Sequence, residues 1–354
     1  MSKNIITRKS IAQLPENEQR GEVYFMKILF YGTKKYDEQF FTALLPQYPG
    51  IEIRFTDTNI HEETAPLARG YEAICAFVNS DLRTEVIRCL AENGVRLILM
   101  RCAGYNNVDL KTAEKQNITV LRVPGYSPQA VAEHAMALAL TANRHTHKAY
   151  IKCRENNFAL NGLMGINFYK KTAGIIGTGK IGQTMAKICR GFGMKVLAYD
   201  LFPCRDLDFV TYVPLEELLS SSDLISLHCP LTAETHHLIC KKTISKMKDG
   251  VVLVNTSRGA LIKTDDLING IREHKFFAVG LDVYEEETDF VYEDMSEQIL
   301  QRSTIQRLLS FPNVTMTSHQ GFFTQEALSN IAFTTLENAK AYMIGADLPN
   351  RISC

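Results

Sequence analysis

The chain has 354 residues, with 39 basic and 39 acidic side chains and no net formal charge, which is enough for two domains with separate cores and gives no overall field for binding nucleic acid or an anionic membrane. Hydrophobic residues make up 45% and charged residues 22%, the balance of a globular protein, and no apolar run approaches the roughly 18 residues needed to span a bilayer. The nine cysteines are odd in number and contain no C-x-x-C pair, which argues against a disulfide framework or a zinc site and for a reducing, cytoplasmic setting.

Residues 1–25 carry Lys, Arg and Glu throughout and have no apolar stretch. They read as an N-terminal extension, neither a signal peptide nor, given their acidic residues, a transit peptide. Met26 opens the first predicted strand and is a second candidate start. Apolar runs then recur at Lys27–Tyr31, Ile51–Phe55, Ala73–Val78, Arg96–Met100 and Ile118–Leu121, with helical patterns such as Thr84–Glu92 and Leu110–Lys115 between them. Continuous apolar strands alternating with helices predict a parallel sheet covered on both faces. Ser127-Pro128 supplies an N-cap and a first-turn proline for one long helical stretch, Gln129 to about Lys152. Alternation restarts after it, with strands predicted at Thr172–Ile176, Lys195–Tyr199, Leu224–Leu227, Val251–Asn255, Phe277–Leu281 and Val314–Thr317. Thr288–Leu309 is a long connection with partial helical patterning, read as a lid or an interface segment. A final helix spans about Gln325–Met343. The expected fold is α/β: two Rossmann-like, doubly wound parallel-sheet domains, the second inserted into the first. The first comprises 26–125 and 322–354, and the second 126–321.

The strand at Thr172–Ile176 runs into Gly177-Thr178-Gly179-Lys180-Ile181-Gly182 and then an amphipathic helix. In that setting the three glycines have separate tasks. Gly177 permits the tight turn, Gly179 lets backbone approach a pyrophosphate, and Gly182 lets helix and strand pack closely. The helix N-terminus suits the anion. Asp200 ends the next strand, eighteen residues after Gly182, where a carboxylate accepts from ribose hydroxyls and repels a 2′-phosphate. NAD is therefore expected over NADP, although Arg205 lies close by.

Three further predicted strands end in polar segments. These are Asn255-Thr256-Ser257-Arg258-Gly259, Asp282-Val283-Tyr284-Glu285-Glu286-Glu287 and Thr317-Ser318-His319-Gln320-Gly321. Ligands bind at the carboxyl ends of strands in open α/β sheets. Reduction of a 2-oxo acid needs a bidentate holder for the carboxylate, which Arg258 can be. It also needs a proton donor near neutral pH for the nascent alkoxide, which His319 can be. A glutamate beside the ring would favour the imidazolium.

These segments resemble the D-isomer-specific 2-hydroxyacid dehydrogenase family. So do Arg101–Asp109 (RCAGYNNVD), Val123–Pro128 (VPGYSP), Ala132–Ala135 (AEHA) and Ser226–Thr232 (SLHCPLT). Within the family the chain is most similar to the fermentative bacterial enzymes that make D-lactate, and the resemblance runs from about Met26 to the last helix. It implies that Arg258 binds the carboxylate, His319 is the acid/base and Glu287 its partner; Glu287 is chosen over Glu285 and Glu286 because the family places the acid five residues after the aspartate. It implies NAD contacts at Gly177–Gly182, Asp200, His228, Cys229, Pro230, Thr256 and Asp282, the last at the nicotinamide carboxamide. Ala103 and Gly104 would hold the carboxylate through backbone, and Tyr126 and Phe322 would line a small substrate pocket. Cys102 stands where some relatives have Asn. A homodimer or homotetramer is expected by the same resemblance.

Several residues have plainer readings. Glu285 and Glu286 read as a solvated acidic loop, His134 as structural, and His228 as either structural or near the nicotinamide. His145 and His147, like His236 and His237, are too close in sequence to share a helix face, and no metal is expected. Two other functions stay open. One is reduction of a bulkier 2-oxo acid such as phenylpyruvate or hydroxypyruvate. The phosphoglycerate branch commonly carries a C-terminal regulatory domain, whereas this sequence ends soon after its last helix. The other is an NAD(H)-dependent interaction protein like the C-terminal-binding-protein corepressors, which keep the catalytic residues.

Overall fold

The computed structural model describes residues 25–204, 206–287, 291–299 and 303–354. The N-terminal extension up to residue 24, Arg205, and parts of the predicted 288–309 connection lie outside the described residues. The rest forms two compact units, one from residues up to 126 with 325–354, the other from 127–324.

The first unit runs β1 (Met26–Phe30), α1 (Lys35–Leu44), β2 (Ile51–Phe55), β3 (Ala73–Ala76), α2 (Thr84–Glu92), β4 (Leu97–Met100), α3 (Leu110–Lys115) and β5 (Thr119–Arg122). The second follows with α4 (Pro128–Arg144), α5 (Thr146–Arg154), β6 (Thr172–Ile176), α6 (Lys180–Gly191), β7 (Lys195–Tyr199), β8 (Val210–Tyr212), α7 (Leu215–Ser221), β9 (Leu224–Leu227), α8 (Lys241–Ile244), β10 (Val251–Asn255), α9 (Thr264–Arg272), β11 (Phe276–Leu281), α10 (Ser303–Ser310) and β12 (Val314–Met316). The chain then returns to the first unit as α11 (Gln325–Met343) and β13 (Arg351–Ile352).

In the first unit the strand order is β13-β5-β4-β3-β1-β2. The order 2-1-3-4-5 of its parallel strands is the flavodoxin-like arrangement. β13 adds antiparallel to β5. Two residues long, it gives no period for the sequence reading to detect. Ile28, Phe30, Cys75, Leu97, Leu99 and Leu121 build the core beneath α11 residues such as Ala332 and Leu336.

The second sheet is parallel, in the order β12-β11-β10-β9-β6-β7-β8. Its centre is the Rossmann arrangement, whose strand order reverses between β6 and β9. Fully buried strands such as β9 and β10 read as unbroken apolar runs for that reason. β8 is three residues, none of them buried, too short for a pattern to reveal.

The helical stretch after Tyr126 begins as expected: the Ser127 hydroxyl accepts from Ala130 N at 3.2 Å, and Pro128 occupies the first turn. It is not one helix, however. His145 adopts left-handed backbone (φ 51°) and separates α4 from α5. The buried Asn143 side chain bonds both N and O of Ile166 at 2.8 Å, so a distant segment ends α4 where the local pattern would continue it. Among the described residues no helix is long and apolar enough to cross a membrane. Cys75, Cys102, Cys189 and Cys229 are buried, while Cys153 and Cys354 are exposed.

Candidate active site

The turn between β6 and α6 is fixed by sterics. Gly177 has φ 93°, and a Cβ there would lie 2.5 Å from Cys229 N. A Cβ on Gly182 would lie 1.9 Å from the Gly177 carbonyl oxygen. Gly179 differs: a Cβ there meets nothing within 4 Å. Two glycines are thus required by the protein's own packing, and the third faces open space where a ligand can approach the backbone. α6 starts at Lys180 with no side-chain cap, so Lys180, Ile181 and Gly182 sit in a first turn whose N–H groups lack an intrahelical partner. These features fit a dinucleotide pyrophosphate.

Asp200 follows β7 and turns back onto this loop. Its Oδ2 accepts from Thr178 N at 2.5 Å and Thr178 Oγ1 at 2.9 Å, and its Oδ1 accepts from Phe202 N at 2.8 Å. The carboxylate is held at the end of β7, half exposed. Across the switch point, His228 N donates to Ile176 O at 2.7 Å, so the His228-Cys229-Pro230 segment packs on the glycine turn. The His228 Nε2 lies 2.8 Å from Ser226 Oγ. Burial pushes His228 down to about 4, which keeps the ring neutral near pH 7.

After β10, Asn255 organises the next loop. Its Nδ2 donates to Arg258 O at 2.9 Å, and its Oδ1 accepts from Ser257 N at 3.0 Å. Ser257 Oγ donates to Cys229 O at 2.8 Å, joining this loop to the His228 segment. Thr256 is buried, and its hydroxyl has no hydrogen-bond partner among the described residues, an orphan polar atom suited to a polar ligand group. Gly259 passes so close to the β11 loop that a Cβ would lie 2.1 Å from Tyr284 C and O. Arg258 is half buried; its Nη1 donates to Ser257 O at 2.7 Å. Among the described residues its guanidinium has no carboxylate partner.

The remaining pair follows β11 and β12. His319 Nδ1 lies 3.0 Å from Glu287 Oε1, with both side chains less than one-fifth exposed. His319 has φ 49°, a left-handed conformation that costs a non-glycine residue about 1–2 kcal/mol. Its neighbours hold it there. Its N donates to Asp282 O at 2.7 Å, and Tyr292 Oη donates to its carbonyl at 3.0 Å. The Asp282 carboxylate accepts from Gln320 N (2.9 Å), Gly321 N (2.8 Å) and Thr317 Oγ1 (2.6 Å), and His134 Nε2 lies 3.1 Å from it. Burial raises the Asp282 carboxyl, but these hydrogen bonds, led by His134 and Thr317, outweigh it and hold the group below the usual carboxylate range. Asp282 is 2% exposed, and its oxygens hold the His319 loop.

One of these readings changes with the structure: Glu285 is only 28% exposed and its carboxylate is paired on both oxygens. Its Oε1 lies 2.5 Å from His237 Nε2, and its Oε2 accepts from Thr264 N and Oγ1. His134 is indeed held within the fold, but on Asp282 beneath the His319 loop. Tyr292 had no signal in the sequence, since its partner lies 27 residues away. Phe322 is buried edge-on to Tyr292, with ring centroids 6.2 Å apart.

Ala103, Gly104 and Tyr126 belong to the first unit. Arg122 Nη1 donates to Ala103 O at 3.0 Å, and Cys102 Sγ to Gly104 O at 3.2 Å. Among the described residues the N–H groups of Ala103 and Gly104 have no backbone acceptor. The Tyr126 carbonyl accepts from Asn330 Nδ2 at 2.8 Å.

A Rossmann sheet with a dinucleotide turn at its switch point and an Arg, Glu and His at neighbouring strand ends defines a nicotinamide-dependent dehydrogenase architecture. Comparison with known proteins is more specific. Residues 136–321 match the family profile described as D-isomer specific 2-hydroxyacid dehydrogenase, NAD binding domain. The chain is 46% identical over 329 residues to the D-lactate dehydrogenase of Escherichia coli K12, covering 92% of this chain and all of that one. The structure of apo D-lactate dehydrogenase from Escherichia coli superposes with a TM-score of 0.85 at 44% identity, covering 92% of this chain and 100% of that one. The structure reported for the pyruvate reductase of Chlamydomonas reinhardtii gives 0.88 at 40% identity, covering 93% of this chain and 99% of that one. The chain belongs to the D-isomer-specific 2-hydroxyacid dehydrogenase family, and its cofactor is NAD.

Proposed function

We propose that the protein reduces pyruvate to D-lactate with NADH. The observation that carries the chemistry is the His319–Glu287 pair at 3.0 Å, in the unit that also carries Arg258 with no carboxylate partner among the described residues. Its similarity to enzymes named D-lactate dehydrogenase and pyruvate reductase supports pyruvate as the substrate.

NADH, when bound, supplies the hydride. Gly177–Gly182 and Asp200 would hold its pyrophosphate and ribose, with His228, Cys229, Pro230 and Thr256 around the switch point. The chain's own residues do the rest. Arg258 grips the substrate carboxylate with two parallel N–H donors. Glu287 accepts from His319 Nδ1, fixing that nitrogen as protonated and leaving Nε2 for the substrate. Nε2–H donates to the ketone oxygen as negative charge develops there. General acid catalysis of this kind contributes about 10²–10⁴-fold. Asp282 acts through the loop, fixing Gln320 and Gly321 and so the reach of His319. Ala103 and Gly104 keep the role the resemblance gives them as amide donors to an anion, supported by N–H groups that have no backbone acceptor among the described residues. Phe322 and Tyr126 are proposed to limit substrate size.

The experiment is NADH oxidation by purified protein with pyruvate, 2-oxobutyrate, hydroxypyruvate, phenylpyruvate and oxaloacetate, with product chirality assayed. Pyruvate is expected to have the highest kcat/KM and to give D-lactate. A tenfold preference for phenylpyruvate or hydroxypyruvate would contradict the small-pocket reading, and absence of turnover with every acid would favour an NAD(H)-dependent binding protein. A homodimer or homotetramer in the cytoplasm completes the proposal. It is supported by the apolar residues Tyr150, Ile151, Phe158, Leu160 (81% exposed) and Met164 (85% exposed) on α5 and the loop after it. Sedimentation at the mass of a single chain would refute the oligomer.

A further inference from the structure

Two histidines that the proposed reaction does not use lie beyond β9. On a helix consecutive side chains diverge and could not share a metal. His236 and His237 instead occupy a turn, and His237 has left-handed backbone (φ 55°). Their ring centroids lie 3.8 Å apart. Glu285 reaches the same place from the loop after β11, with Oε1 at 2.5 Å from His237 Nε2. One ligand atom from each of the three residues lies within 4.8 Å of the others.

We propose that His236, His237 and Glu285 bind a borderline transition-metal dication such as Zn²⁺ or Co²⁺, with water completing its coordination. Two imidazole nitrogens and one carboxylate oxygen form a donor set suited to these ions. The surroundings orient the ligands. Glu285 Oε2 is occupied by Thr264 Oγ1 at 3.0 Å and Thr264 N at 3.2 Å, which leaves Oε1 for the ion. The turn is pinned by His237 N to Ala260 O at 2.8 Å and by the bridge between Ile239 and Ile262. Outer partners of this kind fix ligand geometry. Tetrahedral bonds of about 2.1 Å place ligand atoms roughly 3.4 Å apart, so His237 Nε2 and Glu285 Oε1, now 2.5 Å apart, must separate slightly. His236 is exposed, which gives the ion a path in. Once bound, the ion would tie the turn after β9 to the loop that carries Glu287 two residues further on, and would stabilise the folded form by mass action.

The plain alternative is a histidine–glutamate pair with a stacked neighbour and no affinity for metal. Calorimetric titration of the chelator-stripped full-length protein with Co²⁺, together with its absorption spectrum and Tm, separates the two. One Co²⁺ per chain is expected, with a raised Tm and no thiolate charge-transfer band. His236→Phe keeps a ring in the stack and removes the nitrogen; it should weaken binding at least tenfold while leaving pyruvate reduction without metal unchanged. Glu285→Gln should weaken binding as well. No stoichiometric binding, binding of unchanged strength in His236→Phe, or a thiolate band marking capture by Cys153 or Cys354 would overturn the proposal.

Discussion

The glycine turn after β6 and the histidine loop after β12 lie in the same unit and are built in opposite ways. The turn is held by backbone and by what cannot be there: Gly182 is required because a Cβ would lie 1.9 Å from Gly177 O. The loop is held by side chains that converge on Asp282 from residues 134 and 317, by Tyr292 on the His319 carbonyl, and by Glu287 on the ring. A steric device tolerates almost no change where it is tight and any change where it is open. A hydrogen-bonded device degrades in steps as partners are removed.

Removing the acid itself should have the largest effect. His319→Asn deletes the proton donor and suits the left-handed backbone better than Ala would; kcat for pyruvate is expected to fall by about 10²–10⁴ at nearly unchanged Tm. Retention of a tenth of the wild-type rate would show that another group delivers the proton. Next come the two glycines, which should separate cleanly. Gly182→Ala overpacks the helix–strand contact and should cost about 1–3 kcal/mol of stability. Gly179→Ala meets no protein atom within 4 Å and should leave denaturant unfolding unchanged while weakening NADH binding tenfold or more by fluorescence titration. Equal stability losses in both would erase the distinction between them.

The contrast also explains what the sequence made legible. The dinucleotide turn could be read because Gly177, Gly179, Gly182 and Asp200 fall at fixed offsets within one strand–turn–helix–strand stretch, and the long buried strands because their burial leaves an unbroken apolar run. Arg258, Glu287 and His319 could be placed at strand ends, but Glu287 was separable from Glu285 only by resemblance. Geometry then gave Glu285 a partner in His237 and Glu287 a partner in His319. The break at His145, the two-residue strand β13, and the parts of His134 and Tyr292 were not legible, because each depends on residues far away in sequence that no local period encodes.

Smaller effects probe the loop. Asp282→Asn leaves buried donors facing an amide NH₂ and should cost about 1–3 kcal/mol together with a lowered kcat. Its pH dependence follows from the lowered carboxyl. A group held below its free value of about 3.9 stabilises the fold above that value and loses the contribution as pH falls through the lowered one. The Tm of the wild type should therefore drop more steeply than that of Asp282→Asn on acidification below about pH 4; parallel curves would deny Asp282 its part. Tyr292→Phe removes a single hydrogen bond to the His319 carbonyl and should cost about 0.5–1.5 kcal/mol, with a modest fall in kcat and none in pyruvate KM. A rise in KM alone would instead place Tyr292 in the substrate pocket.

The most direct test of the chemistry is the kinetics of Arg258→Gln with pyruvate. Gln keeps a polar side chain but has no charged fork, so the pyruvate KM should rise by tenfold or more while NADH affinity stays as in the wild type. An unchanged KM would mean that Arg258 does not hold the carboxylate, and that the strand-end cluster serves a chemistry other than 2-oxo acid reduction.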